Sequence, residues 1–269
     1  MVKKIFSNIY LALLLLFLYA PIFILIVLSF NSSKSRVKWG GFTLDWYKEL
    51  FQNEEIINAL YTTLIIAFIS ALVAVIIGTA AAIAMNSMKK TPRAILMTVT
   101  NIPMLNADIV TGISLMLLFI ALGSLFKIEL GFTTVLLSHI TFNIPYVILN
   151  VLPKLKQLNK NTYEAALDLG ASGSYAFRKV ILPEIFPGIL SGFLLAFTMS
   201  LDDFVITYFT NGSSVNTLST VIYSEVRKGI KPEMYALSTI MFIAVIIVLV
   251  IINRQNDKKS KHVVPVAKK

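Results

Sequence analysis

The chain has 269 residues, of which 57% are hydrophobic and 14% charged, and its mean hydropathy is +0.78. Such usage lies outside that of soluble globular proteins and marks an integral membrane protein with little chain left for a separate soluble domain. There is no cysteine, which excludes disulfides, thiol redox chemistry and thiolate metal sites, and the net charge of +10 is assigned below by its position along the chain.

Six apolar stretches are long enough to cross the hydrocarbon layer, at about residues 9–30, 57–85, 95–122, 133–152, 185–209 and 235–252. They predict an all-α fold, a polytopic membrane helical bundle of six transmembrane helices forming a single domain over residues 1–269. The first stretch follows Lys3 and Lys4 but is too long for a signal peptide and has no small-residue cleavage site, so it reads as a true span. Residues 31–55 then form a loop containing Trp39 and Phe42-Thr43-Leu44-Asp45-Trp46-Tyr47, whose aromatic rings are expected to anchor at the headgroup layer.

The second span carries Gly78, Thr79, Ala80, Ala81 and Ala82, small residues that let helices approach closely in lipid. Lys89, Lys90 and Arg93 follow, with Pro92 starting the next helix. The third span holds Pro103, Asn106 and Asp108 within an apolar run, and Pro103 is expected to bend it. Asp108 at that depth requires water, a cation or a polar partner. It reads as a carboxylate on a passage for a cationic solute, the alternatives being a packing hydrogen bond or a segment boundary. In the fourth span His139 and Asn143 are too few for a metal site and are expected to satisfy one another or a neighbouring backbone.

In the fifth span the run Thr198 to Phe209 places Asp202 and Asp203 side by side about 22 Å from the helix entry at Pro187. On a helix the two would project about 100° apart, so that one faces the bundle interior while the other caps a terminus or takes a partner. A turn-rich loop and Tyr223 come next, and residues 253–269 form a basic tail.

With both termini placed in the cytoplasm, the inner segments carry twice as many lysines and arginines as the outer ones. The asymmetry orients the chain and assigns the positive charge to anionic headgroups, leaving no nucleic-acid reading. The same orientation puts residues 160–184 inside. There Glu164-Ala165-Ala166, Asp168 and Gly170 precede Ile181-Leu182-Pro183. The segment reads as two short helices, the first opening near Glu164, joined at Gly170 to Gly173, with Pro183 stopping the second.

That pattern resembles the coupling loop of ABC importer permeases. The resemblance implies the type I importer permease fold, with Glu164, Ala165, Ala166, Asp168, Gly170, Ile181 and Pro183 docking on an ATPase subunit. Ser200-Leu201-Asp202-Asp203-Phe204, then Asn216-Thr217-Leu218 and Ile222-Tyr223, together with Asp108-Ile109-Val110 and Ile113-Ser114-Leu115, are similar to the spermidine/putrescine permeases within that family. Ser219 departs from the proline usual there, which touches loop stiffness alone.

The resemblance implies a polyamine passage drawing on Asp108, Asp202, Asp203, Phe204, Tyr208 and Tyr223. A polyamine is a flexible chain of ammonium groups, so spaced carboxylates with apolar or aromatic surface between them suit it. The implied partners are an ATPase dimer, a second, similar permease and an extracytoplasmic polyamine-binding protein. No cofactor is expected in this chain, since it has no Gly-rich phosphate loop and ATP with Mg would be bound by the ATPase. Permeases for iron or sulfate share the coupling loop and stand as the alternative cargo. An intramembrane aspartyl enzyme pairing Asp108 with Asp202 is the rival from another class, and it would leave the coupling loop without a purpose.

Overall fold

A computed structural model describes residues 2–35, 37–127, 129–243 and 246. The end of the sixth predicted span and the basic tail, residues 247–269, lie outside the described residues. In lipid every backbone polar group must be satisfied within the protein, and the described chain answers with helices: α1 Val2–Ser29, α2 Asp45–Gln52, α3 Glu54–Ser87, α4 Lys90–Leu105, α5 Asp108–Phe126, α6 Phe132–Gln157, α7 Lys160–Asp168, α8 Gly173–Ala176, α9 Leu182–Asp202, α10 Val205–Thr210 and α11 Leu218–Lys228, with residues 232–243 helical beyond them. Five helical stretches among the described residues are long and apolar enough to cross a membrane: Phe6–Ser29, Glu54–Ser87, Asp108–Leu125, Phe132–Gln157 and Gly173–Asp202.

The chain divides into two compact units, residues 1–57 with 224–269 and residues 58–223. In the first, the loop after α1 is organised by Asn31. Its amide nitrogen donates to the Lys38 carbonyl (2.9 Å), its side-chain oxygen accepts from Gly40 N–H (2.8 Å), and its backbone carbonyl accepts from Trp46 Nε1 (2.7 Å). Trp46 is therefore buried, a correction to its expected place at the headgroup layer: the indole N–H is consumed inside the loop, and Trp39, half exposed, keeps the anchoring geometry. At the other end of this unit Lys231 bridges Glu225 (3.3 Å) and Glu233 (3.7 Å), both carboxylates nearly buried, and Asn53 donates to Glu233 (3.4 Å).

The second unit is built on α3, α6 and α9. Ala71, Ala74, Ala82 and Met85 from α3, Val147, Ile148, Val151 and Leu152 from α6, and Ile185 and Ala196 from α9 form its core. Small residues set the spacing as expected for helices in lipid. A Cβ on Gly78 would lie 2.8 Å from Val147 Cβ, and one on Gly192 would lie 3.3 Å from Val147 Cα, so one valine is gripped from two sides.

Four predicted elements are redrawn. The third span is two helices, because after Pro103 has removed a backbone bond from the last turn of α4, Asn106 and Ala107 run extended (ψ 149° and 135°) and α5 starts afresh at Asp108. Asp108 is thus a helix's first residue, where the positive end of the dipole favours it. The fifth span ends at Asp202 rather than at Phe209, since Asp203 turns extended and α10 follows.

Pro183, finally, does not stop the second short helix. The backbone is helical from Gly173 to Asp202, passing through a wide π turn at Phe177–Ile181 in which Leu182 N–H reaches back to Phe177. The widened turn takes up the proline ring that an ordinary helix would exclude at that point. The first short helix, for its part, opens at Lys160 rather than near Glu164, because the Asn159 side chain accepts from Asn161 N–H (3.1 Å).

Candidate functional site

The two helix breaks face the same cleft. Pro103 and Asp108 border it from the α4–α5 break, Asp202, Asp203 and Phe204 from the α9–α10 break, and Phe142 and Tyr146 from α6, around a volume of about 270 Å³. Three carboxylates line it and, among the described residues, no lysine or arginine does.

The carboxylates are not equivalent. Asp203 is nearly buried, and its oxygens accept from Ile206 N–H (3.3 Å), Thr207 N–H (2.8 Å) and Thr207 Oγ1 (2.8 Å), with His139 Nε2 at 3.4 Å. It takes up the unpaired N–H groups of α10's first turn, which is why the chain leaves the helix there. Asp203 borders the cleft as well, but most of its hydrogen-bonding capacity is used within the fold. Asp108 and Asp202 are exposed to the cleft and make no side-chain hydrogen bond among the described residues.

The two exposed acids sit at opposite helix poles. Asp108 opens α5 and Asp202 closes α9, where the carbonyls of a C-terminal turn already concentrate negative charge. A carboxylate at that end is favourable only with a cation beside it. At the α9 end a carboxylate and the negative pole of a helix thus face one small space together, an arrangement that favours a cation, whereas at the α5 end the positive pole offsets the carboxylate and weakens any such hold.

Tyr208 and Tyr223 do not line this cleft. They pack on Phe204, with ring centroids 5.4 and 4.5 Å from it and 5.9 Å from each other. Rings this close leave no room for a cation between them, so only their outward faces, on half-exposed tyrosines, can meet one. Tyr146 escaped the sequence reading. It lies seven residues after His139 and three after Asn143, on the same face of α6, and the helical repeat carried one step further would have found it. His139 and Asn143 do not satisfy one another: His139 bonds Ser200 and Thr207, and Asn143 donates to Ser70 (3.5 Å), because these partners come from neighbouring helices.

The residues expected to couple to an ATPase stand apart from the cleft. Gly170 has φ +87° and sits where Ala171 N–H returns to Ala166 (3.1 Å), so the reversal after α7 depends on a residue that tolerates the left-handed region. Glu164, Ala165, Asp168 and Pro183 are exposed, Ala166 and Ile181 half-buried, and Leu169 stands 90% exposed beside Tyr175. Glu164 and Ile181 also border a second, larger cleft of about 780 Å³ with Arg93 and Glu184. The segment thus presents an exposed apolar tip, Leu169, beside the acidic Asp168.

Comparison with known proteins gives consistent matches. Residues 74–262 match the family described as binding-protein-dependent transport system inner membrane component. The chain is 39% identical over 246 residues to the spermidine/putrescine transport system permease protein PotC of Haemophilus influenzae, covering 91% of this chain and 94% of that one. It is 40% identical to the protein of the same name from Escherichia coli K12, covering 87% of each. It is also 40% identical to the putrescine transport system permease protein PotI of that organism, covering 86% of this chain and 84% of that one. Among solved structures, a chain of a bacterial ABC transporter involved in import of the acidic polysaccharide alginate superposes with a TM-score of 0.71 at 19% identity, covering 96% of both chains, which shows a shared fold.

Proposed function

The chain belongs to the binding-protein-dependent transport system inner membrane component family, and on that premise we propose that it is the permease subunit of an ATP-driven importer for polyamines, spermidine or putrescine. It is a multi-pass inner-membrane transport subunit and not itself an enzyme; both termini lie in the cytoplasm. It pairs with a second, similar permease, an ATPase dimer binds ATP and Mg, and an extracytoplasmic binding protein delivers the cargo. The relatives named above are permeases, which leaves the aspartyl-enzyme reading without support.

One observation carries the polycation reading: among the described residues, Asp108 and Asp202, each at a helix break and without a side-chain hydrogen bond, border a cleft that no basic side chain lines. The alginate transporter imports a polyanion on the same fold, so the fold by itself does not set the cargo. In the cycle proposed here, ATP-driven movement of the ATPase dimer pulls on the knob at residues 160–184, and the cleft passes the amine between breaks that need not unwind any helix. Phe204 supplies apolar surface for the methylenes between ammonium groups.

Uptake of radiolabelled spermidine and putrescine into vesicles holding the assembled complex tests the reading. Uptake that requires ATP, falls with Asp202→Asn and is lost with Glu164→Ala is expected. Transport of an anion or of iron in preference to either amine would overturn it.

A further inference from the structure

A line of buried polar side chains runs through the second unit to the α9–α10 break, and the passage reading does not use it. Asn143 Nδ2 donates to Ser70 Oγ (3.5 Å), Ser70 Oγ lies 3.1 Å from Ser200 Oγ, Ser200 Oγ contacts His139 Nδ1, and His139 Nε2 is 2.9 Å from Thr207 Oγ1. Thr207 Oγ1 donates to Asp203 at 2.8 Å. Ser70, His139, Asn143, Ser200 and Thr207 are each at most 3% exposed.

The proton count gives this line a direction. The Thr207 hydroxyl spends its hydrogen on Asp203, so toward His139 it can only accept, and Nε2 must carry the ring proton. With that tautomer Nδ1 is an acceptor, and Ser200 donates to it. From Ser200 onward the donors then point toward the Asp203 carboxylate, while the Ser70 hydroxyl has the Ala67 carbonyl (3.2 Å) as its acceptor. One imidazole on α6 thereby ties the last turn of α9 (Ser200) to the first turn of α10 (Thr207), and Asp202 lies between those two pinned points.

We propose that His139 is a positioning residue of the transporter, fixing the α9–α10 break so that the Asp202 carboxylate is held toward the cleft. The inference rests on the permease reading for its role in transport, but the geometry it asserts can be measured without any cargo. A ring that merely filled space would need no partners of opposite hydrogen-bonding sense on two helices. Buried polar groups in a bundle are costly unless satisfied, and when satisfied they fix one arrangement among several.

Because the chain has no cysteine, single thiols can report local geometry in the assembled complex. Asp202→Cys and, one helical turn earlier in the same cleft, Thr198→Cys are labelled with a positively charged methanethiosulfonate, each with His139 intact, with His139→Leu and with His139→Gln. Leucine removes both ring contacts, whereas glutamine can accept from Ser200 and donate to Thr207. Loss of the two hydrogen bonds is expected to change the labelling rate at position 202 by about fivefold or more, with position 198 unchanged and His139→Gln close to wild type.

An unchanged rate at 202, equal changes at 202 and 198, or a glutamine variant no better than leucine would each overturn the proposal. Where His139→Leu yields no inserted chain, Ser200→Ala serves instead: a smaller change at 202 alone is expected, and none overturns the proposal. Wild-type vesicles that take up no polyamine would defeat the cargo reading and leave the labelling result standing.

Discussion

Gly78 and Gly192 both face Val147, and alanine at each should have different consequences. A Cβ on Gly78 would meet Val147 Cβ and Cγ1, both at 2.8 Å, and the Ile144 carbonyl at 3.3 Å. Carbon atoms in contact normally sit about 3.5–4.0 Å apart, so α3 and α6 would have to separate by several tenths of an ångström, and the valine, fully buried, cannot turn away. Overpacking of this kind costs about 1–3 kcal/mol. Replacing a mid-helix glycine by alanine returns about 1 kcal/mol of helix propensity, leaving Gly78→Ala destabilising by up to about 2 kcal/mol. At Gly192 the nearest atoms are Val147 Cα at 3.3 Å and Cγ1 at 3.4 Å, a tight contact that small shifts relieve. There the propensity gain should roughly cancel the cost. In thermal unfolding of the detergent-solubilised protein, with about 2–4 °C per kcal/mol expected at this size, Gly78→Ala should melt several degrees below wild type and Gly192→Ala within a degree or two. The reverse order, or no shift at Gly78, would refute the view that this contact sets the α3–α6 spacing.

Asp108→Asn and Asp202→Asn should each lower spermidine uptake. A charge about 4 Å from an ammonium is worth about 1 kcal/mol in water and about 4 kcal/mol near a protein surface, so a loss of at least fivefold is expected, measured as initial uptake rate at equal membrane abundance. Asp203→Asn should act differently, because an amide has one acceptor oxygen where both carboxylate oxygens now accept: the melting temperature should fall, while uptake per folded complex falls less than for Asp202→Asn. Glu164→Ala should leave the permease in the membrane but weaken its copurification with the ATPase. In the first unit Lys231 has its pKa raised, first by its hydrogen bond to Glu225 and then by that carboxylate's charge. A raised lysine contributes stability that is complete below its unfolded value and lost as pH rises through the folded one. Alkaline destabilisation beyond about pH 10, absent in Lys231→Met, is the expected result of thermal scans across pH.

The apolar segments and the turn at Gly170 were legible because hydropathy and turn residues act over short distances. Glu164 to Gly170 could be placed on one knob from their spacing alone. The breaks were only half legible: Pro103 announced a disturbance, and Asp203 was allowed a capping role, but that each break ends a helix depends on competition for hydrogen bonds. Trp46 reads as a surface anchor from its neighbours in sequence, but its N–H is held by the carbonyl of Asn31, fifteen residues earlier in the chain.

Composition and pattern by themselves determined that this chain crosses a membrane as helices with small-residue packing faces, since each follows from the free energy of moving local groups between water and lipid. Tertiary structure alone decided which acid stays available. Asp202 and Asp203 are chemically identical neighbours, and what separates them is His139, sixty-four residues before Asp203, together with the first turn of α10. Burial makes an unsatisfied polar group expensive, so whichever carboxylate can reach the free N–H groups is drawn into the fold, and the other is left facing the cleft.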